Sequence, residues 1–199
     1  SVASALRALP ISIVQDPASN LVARYADVSS GTIVADLCAA PGGKALALSD
    51  RAARVIALDR SESRMRMVKD NAKRTERPLE LVVADANSLP LVAADVVMVD
   101  APCTGTATLA RHPDSRWRLK EEGIAEMAAL QGRMLDAAAD VVRPGGMLVY
   151  STCTLEPEEN ERCVSDFLAR HSEYVLEPSE AFNNEDPGGA FVDSEGFLR

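Results

Sequence analysis

Cys103 and Cys153 lie in the segments Asp100-Ala101-Pro102-Cys103 and Ser151-Thr152-Cys153-Thr154, each just past an apolar run of strand type. An ionised thiol attacks carbon readily, and two thiols at neighbouring strand ends can work on one substrate. The chemistry this pairing points to is covalent catalysis on a planar base. A free thiol titrates near pH ~8.5, leaving only a few per cent as thiolate at neutral pH, so activation is needed. A helix opening near Glu156 would turn its N-terminus toward Cys153, although Glu156, Glu158 and Glu159 would oppose a thiolate there. Spacing alone leaves open which sulfur attacks. Cys38 and Cys163 read instead as small buried residues, the usual state of a free cysteine.

Upstream, Cys38-Ala39-Ala40-Pro41-Gly42-Gly43-Lys44 follows an apolar strand and opens a helix. Gly42-Gly43 lets the backbone approach a ligand with no Cβ in the way. The dinucleotide pattern G-x-G-x-x-G is absent, and a P-loop would need Gly at Cys38 and Ser or Thr at Ala45. Asp59 ends the second strand 23 residues after Asp36, a position from which an acid commonly takes the two hydroxyls of a ribose. Asp85, ending the third, is placed to accept from an adenine amino group. A nucleoside cofactor without phosphates fits, and S-adenosyl-L-methionine is the expected one. The plainer alternative makes the glycines a tight turn and Asp59 a helix-capping acid.

The elements that must hold these groups can be read from periodicity and punctuation. Asp16-Pro17 opens a helix to about residue 27, with Gly31 as the stop. Apolar strands are expected at 32–37, 54–59, 79–85, 95–100 and 147–151, and a short sixth at 174–177. Helices are expected at 61–74, 120–142 and 156–170, with a turn-rich loop at 183–189. Strands alternating with helices across short turns predict an α/β fold, a doubly wound, mostly parallel sheet. Strand four should then lie beside strand one, and strand five beside strand four, so that both sulfurs face the cofactor turn. Ile124, Met127, Ala128, Leu130, Met134 and Leu135 make the buried stripe of the long helix.

Bulk properties narrow the class. A chain of 199 residues with 47% hydrophobic content suits one domain, residues 1–199. Its net charge of −9 predicts weak binding to nucleic acid by this domain alone. No C-x-x-C pair occurs, so no metal site is expected, and reduced thiols are the default. No apolar run approaches the length of a membrane span and no signal-peptide pattern is present, which predicts a cytoplasmic protein away from membranes. The start at Ser1, without Met, reads as a piece of something longer. No interface stripe is evident, so a monomer is expected.

Three long segments, 36–44, Asp100-Ala101-Pro102-Cys103 and 151–161, closely resemble the Sun/RsmB-type RNA cytosine-5 methyltransferases of the Nop/Sun superfamily. Gln15-Asp16-Pro17-Ala18-Ser19 and Arg111-His112-Pro113-Asp114 look like further segments of that family. The resemblance implies a class I, Rossmann-like methyltransferase domain using S-adenosyl-L-methionine on RNA, with ribosomal RNA the expected substrate. It implies that Cys38, Ala39, Ala40, Pro41, Gly42, Gly43 and Lys44 wrap the cofactor, with Asp59 on its ribose and Asp85 near its adenine. By the same resemblance Cys153 adds to carbon 6 of cytosine, Cys103 helps release the product, Asp100 belongs to the cofactor site and holds the cytosine edge near the methyl donor, and Lys44 orients base or cofactor. An N-terminal RNA-binding region and a final strand are expected outside this chain. Ala45, Ala107 and Ala110 depart from the family's usual Thr, Gly and Arg. Two other readings stand beside this one: a DNA cytosine methyltransferase attacking through Cys103, and a catalytically silent binding domain. Arg111, His112, Arg116, Trp117 and Arg118 are either a solvated loop with Trp117 tucked into the core or phosphate contacts beside the site. His112 is expected to be structural.

Overall fold

The structure, a computed structural model, describes residues 9, 11–117, 119–177, 193 and 197. Asp16 caps α1 (Pro17–Tyr25) by accepting the Ala18 N–H at 2.8 Å, and Pro17, with no N–H to lose, fills its first turn. Then follow β1 (Ile33–Asp36), the short α2 (Gly43–Leu48), β2 (Arg54–Asp59) and α3 (Glu62–Arg74), whose Ser61 cap accepts from Arg64. β3 (Glu80–Val83), β4 (Ala94–Asp100), α4 (Glu121–Ala139), β5 (Val142–Ser151) and α5 (Glu161–Arg170) complete the set.

All five strands run parallel, in the order β3-β2-β1-β4-β5. The chain winds outward from β1 to β3 and then returns to the far side of β1, so its direction reverses between β1 and β4. In open α/β sheets that reversal opens a crevice at the carboxyl ends of the strands. Side chains alternate across the sheet as period-2 geometry requires. Val34, Met98 and Val149 pack with Ala45, Leu48, Met65 and Val68 on the α1–α3 face. Ala35, Leu37, Val97 and Val99 pack with Met134 and Ala138 of α4 on the other. Each fully buried Val or Leu is worth roughly 1.5–3 kcal/mol, so this double-sided core is what fixes the strand ends in space.

The sheet matches the expected class and neighbour order; several boundaries do not match. β3 stops at Val83, leaving Asp85 in an exposed turn. The expected helix at 156–170 is a 3₁₀ turn (Pro157–Glu159) and then α5, separated by Asn160 at φ −116° and ψ −103°. α1 ends at Tyr25, two residues short of the expected 27, so Gly31 is not what stops it. Residues 174–177 form no strand; Tyr174 instead sits edge-on to Phe167 and donates its hydroxyl to the Ala139 carbonyl at 3.1 Å. Only the C-terminal half of the α4 stripe is deeply buried, at Met134 and Leu135, while Ile124, Met127, Ala128 and Leu130 are half-buried. The loop expected at 183–189 lies outside the described residues.

β5 begins earlier than its apolar run because it carries an irregularity. Ala94 pairs with Val142 but Val96 with Met147, so the turn around Pro144 and Gly145 bulges out of the ladder. Asp95 closes the bulge, accepting from Arg143 at 2.6 Å and from the Ile33 N–H at 2.7 Å. Within it, a Cβ on Gly146 would stand 2.7 Å from the Asp95 carbonyl oxygen and 2.8 Å from that of Arg143. Backbone atoms cannot swing aside, so Gly146→Ala is expected to lower unfolding stability by about 1–3 kcal/mol, read from the urea midpoint.

Candidate active site

The turn after β1 is built by backbone bonds. Leu37 N–H donates to the Met98 carbonyl, Ala39 N–H to that of Leu58, and Gly42 N–H to that of Ala39 at 2.6 Å. Gly42 caps α2 at φ +107°, where an added Cβ would also meet Val68 at 3.3 Å. A Cβ on Gly43 would press on the Gln15 amide at 3.2 Å, so the segment before α1 backs the turn. Ala45 is fully buried in the core beneath it.

Carboxylates ring this turn. Asp36 is 1% exposed; its Oδ1 accepts the Cys38 N–H at 3.3 Å, and its Oδ2 is buried with no hydrogen-bond partner. Burial, reinforced by the nearby Asp100, pushes its carboxyl from the ordinary 3.8 up to about 7. Burial, with Asp36 and Asp100 beside it, pushes the Cys38 thiol up to about 12, which leaves it un-ionised at neutral pH. Asp59, at the end of β2, is also buried; its Oδ1 accepts the Ser61 N–H at 2.9 Å and its Oδ2 faces Arg64 at 3.4 Å. Arg64 donates as well to the Ala40 carbonyl at 2.7 Å, clipping the turn to α3. Asp85 is exposed and accepts both the Asn87 N–H, at 2.8 Å, and the Asn87 side-chain amide, at 2.7 Å, which hold its carboxyl below the usual range.

Across the crevice, Asp100 ends β4 directly opposite Ser151 of β5. Lys44 reaches over from α2 to pair with Asp100 Oδ2 at 2.6 Å, and the Ser151 hydroxyl donates to Oδ1 at 2.8 Å. Beyond this register the two chains deliver their sulfurs together. Cys103 Sγ and Cys153 Sγ are 3.1 Å apart, and the Cys153 N–H points at Cys103 Sγ at 3.2 Å. Cys153 is exposed and Cys103 half-buried; both are free thiols.

The two sulfurs are not equivalent. A hydrogen bond from Cys103 lowers the Cys153 thiol to about 7 against the pull of burial, with Lys44 helping and Asp100 opposing. Donating that bond, and being more enclosed, raises the Cys103 thiol, and the Cys153 N–H only partly offsets this. The expected helix N-terminus plays no part, since α5 begins only at Glu161. Nor do Glu158 and Glu159 crowd Cys153: Glu158 pairs with Arg162, while Glu159 turns inward to Thr104 and Gln131.

Sequence reading missed Arg64, Thr104, Gln131 and the inward turn of Glu159. Arg64 carries one local signal, lying five residues past Asp59 in the first turns of α3; the others carry none, because their partners are distant in the chain. The segment after Cys103 joins the site at both ends: Ala107 N–H donates to the Cys153 carbonyl at 3.2 Å, and Arg111 forms an ion pair with Asp16. The Ala107 contact is a backbone one, so its departure from Gly leaves it in place. Trp117 is 82% exposed with the Arg116 guanidinium 5.4 Å from its ring, which overturns the reading that tucks it into the core. Arg118 lies outside the described residues. Cys163 is buried with Phe167 and Leu135, as a small core residue.

Five parallel strands flanked by helices, with a glycine turn after β1 and acids ending β1, β2 and β4, define a class I, Rossmann-like methyltransferase fold. Residues 25–191 match 16S rRNA methyltransferase RsmB/F, and the chain belongs to that family. It is 37% identical over 188 residues to ribosomal RNA small subunit methyltransferase B of Vibrio vulnificus (strain YJ016), covering 92% of this chain and 43% of that protein. The crystal structure of PH0851 superposes with a TM-score of 0.80 at 39% identity, over 88% of this chain and 41% of that one. NSun6 from Pyrococcus horikoshii, crystallised with SFG, superposes with a TM-score of 0.73 at 33% identity, over 88% and 46%. The chain spans less than half the length of these relatives.

The raised Asp36 carboxyl has a measurable consequence. The folded chain keeps that proton up to about pH 7, while the unfolded chain releases it near 3.8. The stability contributed by the bound proton is therefore complete below about pH 4 and is lost as pH rises toward 7. Asp36→Asn is expected to flatten this part of the stability curve, measured as urea midpoints of both proteins from pH 4 to 7.5.

Proposed function

We propose that residues 1–199 form the catalytic domain of an S-adenosyl-L-methionine-dependent RNA cytosine-5 methyltransferase, acting on ribosomal RNA in the cytoplasm. The observation that carries this reading is the thiol pair, 3.1 Å apart, beside the Asp100–Lys44 pair where the strand order reverses. The relatives' names support the substrate class, and the SFG carried by one of them supports the cofactor, SFG being an analogue of S-adenosylmethionine.

The residues present suit such a cofactor. An orphaned buried carboxylate oxygen on Asp36, and the neighbouring Asp59 and Asp100, favour a molecule bearing sulfonium and ammonium charges and no phosphate. Cys38, Ala39, Ala40, Pro41, Gly42 and Gly43 would line it with backbone. Asp59, whose carboxylate keeps lone pairs free beyond the Ser61 and Arg64 contacts, would take the ribose, and Asp85 would face the adenine. When bound, the cofactor supplies a methyl group made electrophilic by its sulfonium.

The chain's own groups do the rest. Asp100, steadied by Lys44 and Ser151, holds the cytosine edge. The Cys153 thiolate forms a bond to carbon 6, and the ring electrons displaced by that bond make carbon 5 the nucleophile for the methyl group. Once carbon 5 is methylated, Cys103 assists elimination: with its own thiol proton passed to solvent, its sulfur takes the proton from carbon 5, the C6–S bond breaks, and Cys153 leaves as thiolate. Attack through Cys103, the DNA-methyltransferase alternative, is less well supported, because its thiol is half-buried and donates to Cys153. With a net charge of −9 and Arg111 engaged by Asp16, these residues are proposed to supply little of the RNA affinity by themselves.

The test is to incubate the protein with radiolabelled S-adenosylmethionine and unmodified 16S rRNA, then map the labelled base. Cys153→Ser is expected to reduce transfer to background. Cys103→Ala should slow turnover by about 10²–10⁴-fold and accumulate a protein–RNA adduct on denaturing gels. Adduct formation that survives Cys153→Ser and disappears in Cys103→Ser would reverse the assignment, and label on a base other than cytosine would end it.

A further inference from the structure

Both thiols ride on loops, Cys103 beyond β4 and Cys153 beyond β5, and the reaction proposed above needs them within a hydrogen bond of each other. A loop residue holds a fixed position only where its backbone and neighbours are tied down. Immediately after Cys103, Thr104 is tied twice to one side chain. Its N–H donates to Glu159 Oε2 at 3.0 Å, and its hydroxyl donates to Glu159 Oε1. Gln131 of α4 donates to the same Oε2 at 2.8 Å and to the Pro102 carbonyl at 2.9 Å, gripping the loop on the other side of Cys103.

The ties extend to the second loop. Thr154, just after Cys153, has its hydroxyl 2.9 Å from those of both Thr104 and Thr106, and Thr106 Oγ1 accepts the Leu155 N–H at 2.8 Å. Tyr150 of β5 donates to the Glu159 carbonyl at 2.6 Å, which anchors Glu159 to the strand that delivers Cys153. Glu159 itself is 0% exposed, and its donors, Thr104 and Gln131, are neutral. Burying a carboxylate without a cation is costly, and an apolar side chain would fill the same space. The three donors converging on it are what the carboxylate supplies partners for.

We infer that Glu159 is a positioning residue for the proposed reaction: through Thr104 it holds Cys103 within hydrogen-bond reach of Cys153. It acts at one remove, because its side-chain hydrogen bonds end at Thr104 and Gln131. The groups facing Cys153 directly are Cys103 and Asp100 from β4 and its loop and Lys44 from α2, while Tyr150 of β5 lies near Cys103. Of these, Cys103 is the one whose placement depends on the tether, and its hydrogen bond is the largest influence lowering the Cys153 thiol.

Chemistry separates the tether from mere charge. A Gln at 159 can keep the three bonds: its carbonyl oxygen accepts from Thr104 N–H and Gln131, and its amide donates to Thr104 Oγ1, which still reaches Thr154. An Ala keeps none of them, leaving the Thr104 N–H unpaired and the Gln131 amide with only its bond to the Pro102 carbonyl.

The experiment is the pH dependence of Cys153 alkylation by iodoacetamide in the full chain, read by mass spectrometry of the peptide that contains it. No RNA or cofactor is present, so the result is independent of whether RNA is the substrate. Wild type is expected to have a midpoint near pH 7. Glu159→Ala should raise the midpoint by about one unit, cutting the rate at pH 7 roughly fivefold as the thiolate fraction falls from about a half to about a tenth. Glu159→Gln should restore the wild-type midpoint. In a Cys103→Ala background, where the donor is already lost and the midpoint already raised, Glu159→Ala should add nothing. Should Glu159→Ala fail to fold, Thr104→Val, which removes only the hydroxyl ties, should shift the midpoint in the same direction by a smaller amount. A wild-type midpoint in the Ala and Val variants, or an equal shift with and without Cys103, would overturn the role. Loss of rRNA methylation with the alkylation pattern intact would count against the proposed function alone.

Discussion

The reactive end of this molecule depends on the register between β4 and β5. Adjacent strands lie only ~4.8 Å apart, so Asp100 and Ser151, once paired, must share a small volume. Whatever follows them by two or three residues is delivered to the same place. Cys103 is three residues past Asp100 and Cys153 two past Ser151, which is why the sulfurs meet. A slip of one residue would turn Ser151 and its successors to the opposite face. The register is protected at the other end of the pair, where the bulge around Pro144 and Gly145 absorbs the mismatch and Asp95 clamps it through Arg143 and the Ile33 N–H.

Charge is the second organising constraint. Three carboxylates, Asp36, Asp59 and Asp100, stand near this turn; burial first, and then the neighbouring acids, push Asp36 far above its ordinary range and keep Cys38 protonated. Each of the outer two has a cation set against it, Arg64 for Asp59 and Lys44 for Asp100, whereas the oxygens of Asp36 between them receive only the Cys38 N–H. The imbalance is concentrated at the glycine turn. There, the backbone of Gly42 and Gly43 lies beside a buried carboxyl that no cation among the described residues pairs with.

Lys44 links this acid-rich half of the crevice to the thiol half. It neutralises Asp100, whose charge would otherwise oppose ionisation of Cys153, and it favours the thiolate itself. Beneath the sulfurs, the Thr104–Thr154–Thr106 cluster and the buried Glu159 and Gln131 form a layer of polar groups, fed by β4, β5 and α4 together. Buried polar groups are tolerated when their partners are in place, and here the partners come from segments up to 55 residues apart. The two loops are thus braced as one unit although neither belongs to a regular element.

The sequence by itself determined the α/β class, the alternation of strands and helices, the neighbours of β1 and β4, the glycine turn and the acids at the strand ends. These follow from local patterns: apolar runs too long to have a wet face, Asp-Pro and Ser caps, and Gly-Gly after a strand. Tertiary structure alone decided which of several similar residues does what. Four glutamates at 156–161 look alike along the chain, yet only Glu159 turns inward, because Thr104 and Gln131 are waiting for it. Residues 174–177 have strand-like composition, yet Tyr174 packs on Phe167 and no ladder forms; Trp117, apolar enough for a core, stays outside with Arg116. The physical reason is the same in each case: secondary structure is set by neighbours a few residues away, while burial, ion pairing and thiol acidity are set by groups that only the folded chain brings together.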